Sequence, residues 1–247
     1  MCWPAMRRRA PDPRHLSPAR REPAPTGLCQ EATDSSERSG FVQTLDPAGH
    51  WDTAYAHGHS TRSWFQDRPA ASLRMLEGAA VSVRDSLIDV GGGASTLVDA
   101  LLDRGWVDLT VLDVSAAGLR TAQKRLGSAA DRVQWLAADL LAWEPQCRYA
   151  AWHDRALLHF FATSKDQDRY RDVLQAATTT GSVAVFGTFA LDGPPSCSGL
   201  PVTRYSVDDL AAFVGQRWVP LASEQEQHHT PAGNIQPFTW ASFRRVA

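Results

Sequence analysis

Lysine is nearly missing from this chain. It occurs only at Lys124 and Lys165, so arginine carries almost all the positive charge. With abundant alanine, this reads as the coding bias of a GC-rich genome and not as a basic binding surface. The formal net charge of −2 gives a nucleic-acid polyanion no electrostatic foothold. Long apolar runs are also missing: none approaches the roughly 18–20 residues that span a bilayer. Neither nucleic acid nor membrane is therefore expected as a partner. Cysteine is sparse, at Cys2, Cys29, Cys147 and Cys197, and no two of these form a C-x-x-C pair. That argues against a metal or disulfide framework and for free thiols in a reducing compartment. Arg7-Arg8-Arg9 is not followed by an apolar segment, so it does not read as a secretory signal. A cytoplasmic location is the simplest expectation.

The composition that remains is ordinary. Of 247 residues, 43% are hydrophobic and 21% charged, which suits one globular domain with a tail. Pro4, Pro11, Pro13, Pro18, Pro23 and Pro25 would interrupt any helix or ladder near the start. Residues 1–45 are expected to form a disordered tail, because they cannot bury enough surface to offset their ordering entropy. Residues 46–247 are expected to be the domain. Trp51, Tyr55, Trp64 and Phe65 crowd large aromatics into its entry. They either pack on the core or form a lid or wall over a ligand pocket. A helix is expected around Pro69–Ala79.

Beyond it, strands and helices alternate. The spacing predicts strands at Ser86–Val90, Leu109–Asp113, Arg132–Ala137, Arg148–His153 and Gly181–Phe189. Helices are predicted over Ser95–Arg104, Ser115–Leu126, Ser164–Ala177 and Ser206–Val214, with Ser206 as an N-cap. Arg217–Ala222 and Pro237–Arg245 read as two closing strands joined by a polar turn. The expected fold is α/β: a Rossmann-like, doubly wound, mostly parallel seven-stranded sheet with an antiparallel last strand.

The densest functional signal is Leu87-Ile88-Asp89-Val90-Gly91-Gly92-Gly93-Ala94-Ser95-Thr96-Leu97. An apolar run ends in a glycine turn, and a helical pattern follows. Such a turn presents backbone N–H groups at a helix N-terminus to a nucleotide-like ligand. Gly91 and Gly93 match a dinucleotide G-x-G, but Thr96 stands where the third glycine would be. Asp113 closes the second predicted strand, where a carboxylate accepts hydrogen bonds from ribose hydroxyls. Asp89 precedes the first glycine and Asp139 follows the third strand. A ligand with an ammonium group, a ribose and an adenine suits three such carboxylates. S-adenosylmethionine is one, and an NAD-linked oxidoreductase is the alternative.

These residues resemble the class I S-adenosylmethionine-dependent methyltransferases. Asp89-Val90-Gly91-Gly92-Gly93 looks like that superfamily's first motif, Asp113 like its ribose acid and Ala138-Asp139 like its adenine pair. His153-Asp154 stands where the motif after the fourth strand belongs. Ser95 replaces a frequent glycine, a mild departure, since serine can cap the helix. The resemblance implies S-adenosyl-L-methionine as cofactor, held by Trp64, Asp89, Gly91, Gly93, Ser95, Asp113, Val114, Asp139, Leu140 and His153. His50-Trp51-Asp52 and Ser63-Trp64-Phe65 are similar to the entry of a bacterial group without an assigned substrate. Asp154-Arg155 is similar to a pair in lysine methyltransferases of elongation factors.

Methyl transfer from a sulfonium needs alignment and water exclusion more than a catalytic triad. His153 and Asp154 are the expected catalytic residues, and His159 is expected to pack a helix. His228-His229 would point to opposite faces of a strand, which disfavours a shared metal ion. Tyr205 either touches substrate or staples a helix entry. The acceptor is expected to be a small molecule, with a protein lysine as the alternative, and the chain a monomer or weak dimer.

Overall fold

The computed structural model describes residues 46–56 and 58–247, so the expected tail over 1–45 lies outside the described residues. Two helices lead in, α1 (Pro47–Ala56) and α2 (Ala70–Gly78). Then come β1 (Leu87–Val90), α3 (Leu97–Asp103), β2 (Leu109–Asp113), α4 (Ala116–Leu126), β3 (Val133–Ala137) and β4 (Ala151–Arg155). The chain continues through α5 (Ser164–Ala177), β5 (Val183–Phe189), a short hairpin of β6 (Ser196–Cys197) and β7 (Leu200–Pro201), and α6 (Val207–Val214). It ends on β8 (Trp218–His229) and β9 (Ile235–Arg245).

Seven strands form one sheet in the order β3-β2-β1-β4-β5-β9-β8. The first five run parallel, and β9 is antiparallel to both β5 and β8. The chain winds outward from β1 to β3, then crosses back to β4. The sheet therefore reverses its winding between β1 and β4, the place where open α/β sheets bind ligands.

Both faces of the sheet are covered, which is why β1, β2 and β5 are buried at every position. One face carries Leu87, Ala151, Val183 and Val185 against apolar residues of α2, α3 and α4. The other carries Ile88, Val90, Trp152, Ala184 and Phe186 against α5 and α6. Helix α5 shows how local sequence sets this. Thr163 caps it by accepting from Asp166 N at 3.1 Å, and Tyr170, Val173, Leu174 and Ala177 fall on one buried stripe. Helix α6 opens on a capping box between Ser206 and Asp209. No helix among the described residues is long and apolar enough to cross a membrane.

Three expectations need correction. β4 begins and ends later than Arg148–His153, so His153 is internal to the strand and not its last residue. β8 runs on to His229, well past Ala222, as an edge strand with a mostly exposed polar face. Cys197 is a buried free thiol, but Cys147 is disulfide-bonded, against the reading of free thiols throughout.

Candidate functional site

At the reversal of winding, Asp89 on β1 and His153 on β4 are partners in the strand register. Register partners share a face, and the two side chains meet: His153 Nδ1 lies 2.7 Å from Asp89 Oδ1, both groups buried. The other ring nitrogen, Nε2, is buried without a hydrogen-bond partner. The second carboxylate oxygen of Asp89 is tucked beneath the glycine turn. A Cβ on Gly92 would stand 2.6 Å from it and 2.7 Å from Val111, so only glycine passes here.

The turn itself is held firmly. Gly91 and Gly92 N–H groups donate to Leu112 O, and Gly91 adopts φ +68°, a conformation that favours glycine. Ser95 Oγ accepts from Leu97 N at 3.1 Å, but the N-cap residue of α3 is Thr96, and no side chain caps the helix, so the capping role expected of Ser95 is corrected. Thr96 Oγ1 donates to Gln66 O, and the Arg125 guanidinium donates to Ala94 O and Ser95 O.

Asp89, His153, Gly91, Gly92, Ala94, Ser95 and Thr96 line a cavity of about 80 Å³, together with Trp64, Phe65, Arg155, Ala156, Phe160 and Cys197. That is small beside the roughly 300–1,000 Å³ of ordinary small-molecule sites. The reason is α1. Its Trp51 packs edge-on against Trp64 and Phe160, at 5.8 and 5.1 Å between ring centroids. Its Tyr55 ring lies directly over Gly93 and Gly118, so that a Cβ on either would collide with it. Asp52 ties this roof down by accepting from Ser115 Oγ at 2.5 Å and Ala117 N at 3.0 Å, at the start of α4.

Asp113 lies under this roof. Its Oδ1 accepts from Ser115 N at 2.7 Å, and only 7% of the residue is exposed. Burial pushes its carboxyl up to about 7, with further upward pressure from Asp89, against the lowering effect of the Ser115 and Gly93 N–H groups. Burial and the adjacent Asp113 charge likewise raise the Tyr55 phenol.

The expected site residues thus separate. Trp64, Asp89, Gly91, Ser95 and His153 share the cavity. Gly93 and Asp113 adjoin it beneath Tyr55. Asp139 is exposed, its carboxylate turned back to accept from Leu141 N, and Val114 is half-buried after β2. Leu140 belongs to the core cluster on the opposite face, which corrects its expected place against a cofactor. Asp154 is corrected too. Alternation along β4 sends its side chain to the α5 face, where it accepts from Tyr170 Oη, Leu157 N and Leu158 N. Burial raises this carboxyl to about 6, and no part of the residue is exposed.

Three other histidine and tyrosine readings also resolve. His159 is fully buried, packed against Phe160 and Phe189, and burial pulls it down to about 3. His228 is buried with Nε2 at 2.7 Å from Ser63 O, whereas His229 is exposed on the other face. Tyr205 is a core residue whose hydroxyl accepts from Gln167. Sequence reasoning missed Arg155 as a wall of the cavity. Its signal was its place two residues after His153, on the same face of β4.

No protein-family model and no curated protein matches the chain by sequence. Solved structures do match by shape. A methyltransferase dependent on S-adenosylmethionine from Anabaena variabilis superposes with a TM-score of 0.64 at 14% identity, over 80% of this chain and 93% of its own. The N-methyltransferase NodS from Bradyrhizobium japonicum, in complex with S-adenosyl-L-homocysteine, gives 0.63 at 14%, over 81% and 100%. The 1,6-didemethyltoxoflavin-N1-methyltransferase of Burkholderia thailandensis gives 0.59 at 15%, over 81% and 84%. With the observed strand order and antiparallel β9, these matches show that the chain has the Rossmann-like fold of the class I S-adenosylmethionine-dependent methyltransferases.

Proposed function

We propose that this protein is an S-adenosylmethionine-dependent methyltransferase acting on a small molecule, with His153 as the group that receives the acceptor's proton. The observation that carries this is the Asp89–His153 pair at the edge of the glycine turn, with a buried, unpartnered Nε2.

The residues fit the cofactor in two parts. The methionyl half suits the turn Gly91–Ser95 and the indole of Trp64, which already share a cavity. The ribose half suits Asp113 and the bare face of Gly93 once Tyr55 turns away from them. When bound, the cofactor supplies a methyl group on a positively charged sulfur. The protein's own part is then alignment, dryness and the handling of one proton. Trp51, Trp64 and Phe160 exclude water as a roof. Asp89 accepts from Nδ1–H, which fixes the tautomer and leaves Nε2 free to accept a proton from an attacking hydroxyl or amine. In this reading Asp89 positions His153 and does not face the cofactor's ammonium group.

A small acceptor is favoured over a protein side chain because the cavity is narrow and roofed. The 1,6-didemethyltoxoflavin-N1-methyltransferase, with 1,6-didemethyltoxoflavin and S-adenosylhomocysteine bound, is a neighbour in fold. Calorimetry tests the cofactor: S-adenosyl-L-homocysteine should bind and NADH should not. Methyl-labelled S-adenosylmethionine with cell lysate tests the acceptor. Label in the small-molecule fraction supports the proposal, and label confined to protein overturns its substrate class in favour of lysine methylation.

A further inference from the structure

Among the described residues, Arg155 is the other cavity residue, beside His153, whose side chain carries buried polar atoms without a hydrogen-bond partner. Its Nη1 donates to Trp64 O at 2.9 Å, and its guanidinium carbon lies 4.8 Å from the centroid of the Phe238 ring. Nε and Nη2 are buried and have no partner. Those two nitrogens form one edge of the guanidinium plane, the edge that grips a carboxylate through two parallel N–H bonds. No carboxylate of the described residues lies within ion-pair distance of it. Glu226 is near enough to act through its charge, but its oxygens are committed to Gln66 Nε2 and Trp240 Nε1, both at 2.8 Å. A buried cation with an idle donor edge is costly unless an anion completes it.

We propose that this edge is the subsite for a carboxylate on the methyl acceptor, so that the substrate is a small carboxylic acid. The inference rests on the methyltransferase reading above. Placement separates the subsite from the cofactor's own carboxylate. Arg155 leaves β4 and reaches across β5 to Phe238 on β9, on the side of the cavity away from the glycine turn on β1. His153 is two residues back on the same face of β4, roughly 7 Å along the strand. An acceptor anchored at Arg155 therefore extends its nucleophile toward His153 Nε2. Charge balance selects a carboxylate over a phosphate. One guanidinium meets one negative charge, while Asp89 and Glu226 nearby would repel a second, and the adjoining His159 is held neutral by burial.

The test uses the full chain saturated with S-adenosyl-L-homocysteine. Binding of acetate and benzoate is compared by calorimetry or ligand-observed NMR with that of their neutral counterparts, acetamide and benzamide. At least one carboxylate should bind, and its amide at least about tenfold more weakly, the loss expected for charge-assisted hydrogen bonds. Arg155→Met, checked for native melting, should lose the carboxylate by a similar factor and hold S-adenosyl-L-homocysteine within threefold of wild type. Equal binding of acid and amide by the wild type overturns the proposal without any variant, as does binding of neither. A loss of ten-fold or more in S-adenosyl-L-homocysteine affinity in folded Arg155→Met would assign the edge to the cofactor's carboxylate instead. If the wild type fails to bind S-adenosyl-L-homocysteine at all, the methyltransferase reading fails first.

Discussion

His153 and Asp154 are adjacent on β4, and the pleat sends them to opposite faces of the sheet. That single fact divides one sequence motif into two jobs. His153 meets the cavity and Asp89, so His153→Gln should slow methyl transfer by about 10²–10⁴-fold, the usual worth of a positioned proton acceptor. Its affinity for S-adenosyl-L-homocysteine should stay within a few-fold, measured by calorimetry beside single-turnover rates. A parallel collapse of both would make the histidine a cofactor ligand only. Asp154 instead closes a buried network of Tyr170, Trp152 and two backbone N–H groups. Asp154→Ala strands those donors and should cost on the order of 3 kcal/mol of stability in urea unfolding. The folded fraction should bind cofactor as the wild type does. Sequence alone placed both residues beside the site but did not separate their faces. The predicted strand stopped at His153 because His-Asp-Arg looks like the polar end of an apolar run. In the fold the strand continues, since His153 and Arg155 both face the cavity and Asp154 finds three buried donors.

Elements with a strong signal were legible to the residue: β2 and α5 match their predicted spans, and Ser206 caps the helix it precedes. What escaped were elements set by tertiary contact. The β6–β7 hairpin has two residues per strand, too few for any pattern. Helix α1 has no fully buried residue, and its place is decided by Asp52 on the α4 N-terminus and by Tyr55 over the glycines. The crowded aromatics hinted at a lid, but nothing local said that Tyr55 would cover Asp113. The consequence is a roof that must shift for a ribose to reach that carboxylate. Asp52→Ala removes the tie to Ser115 and Ala117, worth about 1 kcal/mol or more. Amide exchange across residues 47–56 should then quicken by roughly tenfold by mass spectrometry, while α5 exchanges as before. Unchanged exchange would show that the aromatic contacts alone hold the roof.

Across the whole molecule, the groups buried around the sheet pull the pH dependence of stability in two directions. Asp113 and Asp154 hold protons in the fold up to about 7 and about 6, whereas the unfolded chain releases them near 3.8. Between pH 4 and 6 the native state is therefore the more protonated at these two sites, and they make stability fall as pH rises. His159 is the reverse. Burial and the Arg155 charge hold it at about 3 in the fold, against 6.5 when unfolded, so between those values unfolding takes up a proton and stability rises with pH. His228 and His59 are lowered as well and act in the same sense as His159. Opposed contributions leave the wild type with a shallow profile over this window. Removing one side tilts it. His159→Phe should make stability fall by up to about 1.4 kcal/mol per pH unit relative to wild type between pH 4 and 6, and Asp113→Asn should make it climb by as much. For a domain of this size each kcal/mol moves the midpoint by roughly 2–4 °C, well within reach of melting curves collected at half-unit steps. Curves for wild type and both variants that run parallel from pH 4 to 6 would mean that neither group changes its proton affinity on folding. The burial of Asp113 under Tyr55, on which the closed roof depends, would then be wrong.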